Sequence, residues 1–191
     1  DARGGDFVGA ECVDKVCVPD PRWACVGKVT WPARDDSKLV KWTLTIVGLV
    51  SEVTPPDLIT KACKPLDVEC TDPLYEVLGA VAEGKTTVSI PSAFDGHFQM
   101  TGSTIMPSLY FIVEPHAEDF EDPIPFPHLT EAELKILATL PDPDLTVNPE
   151  RGLLLILAHD CNGDRAKGVR FEADIVAPDT VGFYVVNNQP K

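Results

Sequence analysis

The residues of this chain whose chemistry depends most directly on spacing are its six cysteines: Cys12, Cys17, Cys25, Cys63, Cys70 and Cys161. The intervals are C-x4-C-x7-C and C-x6-C, without the C-x2-C pair of common zinc sites. An even count outside those patterns favours disulfides and an oxidising compartment over reduced cytosolic thiols. We predict the pairs Cys12–Cys17, Cys63–Cys70 and Cys25–Cys161, the last of which closes a long loop.

A second candidate for chemistry is the run Asp160-x-Asn162-x-Asp164, which resembles the front half of a calcium loop. Calcium prefers several oxygen ligands, and these three side chains could converge on one ion. However, Arg165 stands where such a loop needs glycine, and Phe171 stands where it needs a bidentate glutamate. The favoured interpretation is therefore a plain hairpin turn, with calcium as the weaker alternative and no other cofactor expected.

A third candidate is a set of acidic side chains that could also hold a cation: Glu114, Glu118, Asp119, Glu121 and Asp122. Prolines are interspersed among these acids. A solvated, charged linker is therefore the favoured interpretation.

Catalytic patterns are sparse. The four histidines are His97, His116, His128 and His159, and none forms H-x-H or H-E-x-x-H. His159 and Cys161 could share a strand face as an imidazole–thiol pair, but a disulfide at Cys161 would remove the nucleophile. The chain has no G-x-S-x-G, phosphate-loop or dinucleotide motif. We therefore predict no enzyme, and no catalytic residue is assigned.

The three tryptophans, Trp23, Trp31 and Trp42, could form a sugar-binding platform. Because they occur in alternating strand-like patterns, core positions are the favoured interpretation.

The elements that must position these residues are mostly strands. Residues 40–46 alternate apolar and polar side chains, the pattern of a half-buried strand. Further strands are predicted at 23–31, within 58–69, and at 86–91, 98–101 and 109–113, while 75–82 fits either a strand or a helix. Thr130 and Glu133 form a capping box that opens a helix over 130–140.

The C-terminal part is predicted to be a smaller β module. Residues 153–158 form an unbroken apolar run, as expected for a strand covered on both faces. Asn162-Gly163 favours a tight hairpin, and residues 169–173 alternate again. A third strand is predicted at 181–186, so this module has few strands for a closed fold.

Composition excludes some partners. The chain of 191 residues carries a net charge of −14, which disfavours binding to nucleic acid and to anionic membranes. No apolar run approaches the roughly 20 residues of a spanning helix. The chain starts at Asp1 without an initiator methionine, which indicates a processed or trimmed end.

Two stretches carry a family resemblance. Residues 86–100, TTVSIPSAFDGHFQM, resemble the pattern of carboxypeptidase-regulatory-like (transthyretin-like) domains, with a strand ending in proline and another after an aromatic-Asp-Gly turn. Residues 160–169, DCNGDRAKGV, are similar to that family's Asp-rich turn with Gly-Val opening the next strand. The arrangement across 23–186 is similar to secreted or lipid-anchored surface proteins of myxobacteria-like bacteria. The resemblance implies an extracellular β-sandwich with an accessory, binding or structural role.

The predicted organisation is all-β, with one complete immunoglobulin-like or transthyretin-like β-sandwich and a second, smaller and incomplete β module. Residues 1–22 form a flexible arm and a cysteine-pinned loop, and 23–116 form the sandwich. Residues 117–150 form a proline-rich linker with the helix 130–140, and 151–191 form the second module.

The function expected from these features is that of a non-enzymatic structural or adhesive protein outside the cell or at its surface. We expect a homo-oligomer or filament, assembled head-to-tail when residues 1–10 of one copy complete the strand edge at 181–186 of the next. The alternative for that edge is that the missing strands follow Lys191 in a longer protein. The alternative function is an extracellular binding module for glycan, peptide or calcium.

Overall fold

The structure is a computed structural model that describes residues 10–13, 16–48, 57–78, 84–121, 126–139, 154–166, 169, 171, 185–186 and 189–190. The chain divides into two compact units, Asp1–Thr30 with Pro149–Tyr184 and Trp31–Asn148 with Val185–Lys191. The described residues are mostly strands with one α-helix, which confirms the all-β class. No described helix is long and apolar enough to cross a membrane.

In chain order the elements are β1 (Ala10–Val13), β2 (Val16–Pro19), β3 (Asp35–Gly48), β4 (Ile59–Cys63), β5 (Tyr75–Leu78), β6 (Lys85–Ser92), β7 (His97–Thr101), β8 (Ser108–Phe111), β9 (Phe120–Glu121), β10 (Phe126–His128), α1 (Glu131–Thr139), β11 (Val185–Val186) and β12 (Gln189–Pro190).

Strand β3 organises the larger unit. Its alternation places Val40, Trp42, Leu44 and Ile46 in the core, each at most 3% exposed, as the sequence predicts. The strand is longer than predicted, because it spans Asp35–Gly48 whereas the alternating pattern covers residues 40–46.

Two four-stranded sheets make up most of this unit. In the first, β6 pairs antiparallel with one edge of β3, and β9 and β10 pair parallel with β3. Trp42 pairs with both Val88 of β6 and Phe120 of β9, so β9 lies on the edge of β3 opposite β6. The second sheet has the antiparallel order β5-β4-β7-β8.

One apolar cluster contains residues of both sheets. Phe98 of β7 meets Trp42 of β3 edge to face, with ring centroids 5.6 Å apart, and also contacts Phe126 of β10 at 6.2 Å. Phe94 and Phe98 are fully buried. The connection from β6 to β7 therefore carries the chain from one sheet to the other.

The segment predicted as a linker forms part of the first sheet. Phe120 and Phe126 lie in strands β9 and β10, and Phe126 is fully buried. Proline at position 127 is compatible with an edge strand, because such a strand can leave one row of N–H groups unpaired. The linker prediction is therefore wrong for residues 120–121 and 126–128.

Helix α1 begins as the capping box predicts. The Glu133 backbone N–H donates to the Thr130 hydroxyl at 3.2 Å, and the Thr130 backbone N–H donates to the Glu133 carboxylate at 2.8 Å. Leu134 and Ala138 face inward at 7% and 9% exposure. The described helix ends at Thr139.

Replacing Thr130 with alanine should lower the free energy of unfolding by about 1 kcal/mol, because it leaves a helix-terminal N–H without its acceptor. Chemical denaturation of the variant measures the difference. Replacing Thr139, a threonine at the other end of the helix, with alanine is the matched control and should cost less. Equal costs would show that the capping box contributes little.

The smaller unit begins with the hairpin β1–β2, where Cys12 lies opposite Cys17. Their side chains are outside the described residues, so this disulfide stays a prediction. The strand predicted at 23–31 is wrong, because residues 21–23 form a 3-10 turn and 24–28 continue as turns. The Asp20 carboxylate accepts the Arg22 N–H at 2.9 Å, which caps the 3-10 turn and favours it over an extended strand.

The apolar run at 153–158 does not form the predicted covered strand. Residues 154–158 have no regular secondary structure, and Leu154 and Leu157 are 75% and 52% exposed. An apolar run does not by itself specify a strand to pair with or elements that bury its two faces. Among the described residues, no strand pairs with residues 154–158 and their leucines are exposed. Among the described residues, strands β11 and β12 pair only with each other, and the rest of the predicted strand 181–186 lies outside that part of the chain.

Candidate interaction surface

One exposed segment is held by a disulfide and several hydrogen bonds: the loop from Cys63 to Cys70, here called the disulfide loop. The two cysteines are bonded to each other, as the sequence predicts. Inside the loop, the Asp67 N–H donates to the Lys64 carbonyl at 3.1 Å, and the Cys70 N–H donates to the Asp67 carbonyl at 2.9 Å. A disulfide and two turn hydrogen bonds therefore fix the backbone.

The Asp67 carboxylate holds the loop against the chain that follows it. It accepts the backbone N–H groups of Thr71 and Asp72, both at 3.1 Å. These N–H groups, Asp72 first, hold the pKa of the Asp67 carboxyl below its usual value. Lys64 also forms an ion pair with Asp72.

The apolar side chains of the disulfide loop point away from the protein. Leu66 is 94% exposed and Val68 is 51% exposed. A shallow depression of about 540 Å³ is lined by Lys64, Pro65, Leu66 and Asp67. A loop whose backbone is fixed and whose apolar side chains meet solvent loses little conformational entropy when it binds another surface.

His97 lies in β7 opposite Cys63 on one side and Phe111 of β8 on the other. Its ring is fully buried, and its centroid is 5.4 Å from that of Phe111. Neither ring nitrogen has a hydrogen-bond partner among the described residues. Burial lowers the pKa of this imidazole, while the negative charge of Asp67 partly opposes the shift.

Gly96 makes this arrangement sterically feasible. A Cβ at this position would lie 2.1 Å from the Cys63 carbonyl oxygen and 2.3 Å from the Phe94 ring. Only glycine allows the chain to enter β7 this close to β4.

The stability of the protein should fall as the pH drops below about 6.5, because His97 protonates more readily in the unfolded chain than in the fold. A group with a lowered pKa contributes its full stability above its unfolded pKa and loses it as the pH falls towards its folded pKa. The dependence has a limit of about 1.4 kcal/mol per pH unit for one proton. Denaturant unfolding between pH 7.5 and 5.5 measures it. His97→Leu should flatten this slope, and an unchanged slope would assign the effect to other groups.

Strand β8 follows at the edge of the second sheet. Leu109 and Phe111 are 41% and 52% exposed, and Val113 just beyond the strand is 78% exposed. Residues 108–113 carry no charge. The disulfide loop, β8 and the residue two positions after β8 present five exposed apolar side chains: Leu66, Val68, Leu109, Phe111 and Val113.

The calcium candidate in the smaller unit forms a closed hairpin turn. The Asp160 carboxylate accepts the backbone N–H groups of Asn162 at 2.9 Å and Asp164 at 3.1 Å. Gly163 has a φ of 82°, as a tight Asn-Gly turn requires, and His159 bridges Arg165 antiparallel. The Asp160 oxygen Oδ1 is thus engaged within the turn itself, which supports the hairpin interpretation. No group of three or more His, Cys, Asp or Glu suited to a metal occurs in the described residues.

Three members of the acidic candidate, Glu118, Asp119 and Glu121, lie along the first sheet, and Asp122 lies outside the described residues. Glu118 pairs with Lys38 at 2.6 Å, and Glu121 pairs with Lys85 at 2.5 Å. Asp119 accepts the Lys41 N–H at 2.8 Å. Three of these carboxylates therefore attach the chain to β3 and β6, in place of converging on a cation.

The imidazole–thiol pair has no free thiol, because Cys161 is bonded to Cys25. The Cys161 N–H also donates to the Arg22 carbonyl at 2.8 Å, within the smaller unit.

Of the tryptophans, Trp42 is core at 3% exposure, Trp23 is half-buried and Trp31 is 48% exposed. The core interpretation thus holds for Trp42 and fails for Trp31.

No family model, curated protein or solved structure matches this chain. Sequence reasoning missed the roles of Leu66, Asp67 and His97. The available signal was the C-x6-C spacing with Pro-Leu-Asp-Val inside it, because apolar residues in so short a ring have little room to be buried.

Proposed function

We propose that this is a non-enzymatic structural or adhesive protein that works outside the cell through contacts with other protein surfaces. The disulfides Cys25–Cys161 and Cys63–Cys70 support an oxidising compartment. The net charge of −14 supports partners other than nucleic acid or anionic lipid. Secretion and attachment to the cell surface by a lipid anchor are both consistent with this function.

In this proposal the larger unit is a transthyretin-like β-sandwich. The stretch 86–100 that carries the resemblance contains β6, which includes Pro91, and then the Phe94-Asp95-Gly96 turn and β7. One apolar cluster shared by two sheets is the packing that a sandwich requires.

The observation that carries the proposal is the exposed apolar surface on rigid elements. Leu66 is 94% exposed on a loop fixed by a disulfide, an aspartate cap and an ion pair. Exposed leucines are common singly, but rigid display of several apolar side chains marks a surface that another protein covers. In a structural protein, the surface that covers these side chains belongs to another copy of the same chain.

Head-to-tail assembly is the geometry that we propose for such a polymer, with residues 1–10 of one copy added to the strand edge at 181–186 of the next. Of these two segments the structure describes Ala10, the first residue of β1, and Val185–Val186, which pairs with Gln189–Pro190. Such a heterologous contact forms rings or filaments. Sedimentation of the wild type and of a variant lacking residues 1–10 tests it. Polymers in the wild type alone support the geometry, and polymers in both contradict it.

The alternative function is an extracellular binding module, for which the disulfide loop is the specific argument. Leu66 could enter an apolar pocket of a protein or peptide, and Trp31, at 48% exposure, could stack on a glycan. Titration with a glycan array and with Ca²⁺ distinguishes the two functions. Saturable binding by a protein that stays monomeric favours the module, whereas self-association without such binding favours the structural function.

A further inference from the structure

Strand β8 differs from the other edge strands of the two four-stranded sheets. Edge strands usually carry charge or proline, which discourages pairing with another chain. Such residues occur in the other described edges: Glu76 in β5, Lys85 and Pro91 in β6, Glu121 in β9 and Pro127 in β10. Strand β8, with the sequence SLYF, has neither.

The backbone of β8 presents unpaired groups at its free edge. The Ile112 N–H donates to the Gly96 carbonyl at 3.1 Å, so Ile112 points its backbone groups towards β7. Because these groups alternate between edges along an antiparallel strand, Leu109 and Phe111 point theirs outward. No described residue accepts from or donates to these outward groups.

We propose that β8 pairs antiparallel with β8 of a second copy of this chain, across a two-fold axis at Tyr110. The outward groups of Leu109 then bond those of Phe111 in the other copy. The second sheet of one copy and the second sheet of the other copy then form one continuous sheet of eight strands. The inference rests on the proposed self-association and adds to the head-to-tail contact of residues 1–10 a second, isologous contact at β8.

Charge and side-chain pairing favour a second copy as the occupant. A chain with a net charge of −14 repels its copies, but residues 108–113 contain no charge to oppose close approach. Antiparallel pairing keeps the two Glu114 carboxylates at opposite ends, about 25 Å apart, whereas parallel pairing would bring them together. Leu109 of each copy lies beside Phe111 of the other, and both side chains are exposed in the single chain.

The decisive variant is Leu109→Pro, measured by sedimentation equilibrium. Proline removes the outward N–H and leaves the β7–β8 hydrogen bonds intact, so the chain should fold and dimerise at least about tenfold more weakly. Leu109→Lys should act in the same direction by adding a charge to the edge. Leu154→Lys makes the same charge change at an exposed leucine of the smaller unit, outside the candidate surface, and should dimerise like the wild type.

Amide exchange of the wild type provides a second readout. In the dimer, the amides of Leu109 and Phe111 should be protected from exchange, as are those of Tyr110 and Ile112. Dilution to the monomer should remove the protection of Leu109 and Phe111 only. A wild type that is monomeric at high concentration overturns the inference. The inference is also overturned if the Leu109→Pro variant associates as strongly as the wild type and the Leu109 and Phe111 amides of the wild type are unprotected. In that case the proposed structural function stands, and another surface carries the self-association. Deletion of residues 1–10 should leave the β8 dimer intact.

Discussion

Replacing Cys25 and Cys161 with serine should lower the free energy of unfolding of the whole chain by about 5 kcal/mol. The bond joins residues 136 positions apart, and cross-linking so long a loop removes much of the entropy of the unfolded chain. It also ties the two separate segments of the smaller unit, Asp1–Thr30 and Pro149–Tyr184, to each other. Denaturant unfolding followed by circular dichroism, which reports on both units, measures the loss.

The matched control is the pair Cys63→Ser and Cys70→Ser. Their separation is 7 residues, so the chain-entropy contribution is about half as large, at about 2.5 kcal/mol. Equal losses for the two pairs would contradict the entropic explanation. A smaller loss for the long loop would indicate residual structure in the unfolded chain.

Phe98→Ala should lower the free energy of unfolding by about 3–5 kcal/mol. Its ring is fully buried and contacts the rings of Trp42, Phe94 and Phe126, so truncation removes apolar burial and leaves a cavity between residues of both sheets. Differential scanning calorimetry or urea unfolding measures the change.

Phe111→Ala provides the control on the same sheet. This phenylalanine is 52% exposed, so its truncation should cost less than about 1 kcal/mol in a dilute, monomeric sample. A similar loss for both variants would mean that the apolar cluster around Phe98 is not the stabilising core.

The elements that could be predicted from sequence are those whose residue pattern shows both the repeat of the secondary structure and the face that is buried. Strand β3 alternates over its buried half, and Thr130 with Glu133 marks the helix start through groups three residues apart. Strands β9 and β10 could not be predicted in this way, because they have two and three residues and depend on pairing with β3 far away in sequence. The prediction of a buried strand that includes residues 154–157 was wrong for a related reason, because apolar composition does not specify which element will bury the run.

The candidate surface shows the same division. The predicted pairs Cys63–Cys70 and Cys25–Cys161 are present. Close spacing favours the first pair, whereas spacing alone does not select the second among the 15 pairings that six cysteines allow. The burial of His97 does not follow from its neighbours in sequence, because it results from β4, β8 and the disulfide loop closing around one ring. The exposure of Leu66 is likewise a property of the closed loop.

The parallel pairing of β3 with β9 and β10 has a consequence for how the protein folds. The hydrogen bond from Lys41 to Asp119 joins residues 78 positions apart, and β6 is also distant in sequence from β3. A ribosome or secretion channel that releases the chain from its N-terminus delivers β3 long before either flanking partner. The first sheet therefore cannot grow from a local nucleus, and its high contact order implies folding over milliseconds to seconds. During that interval the apolar face of β3 is open, which makes this strand the segment that a chaperone would need to protect.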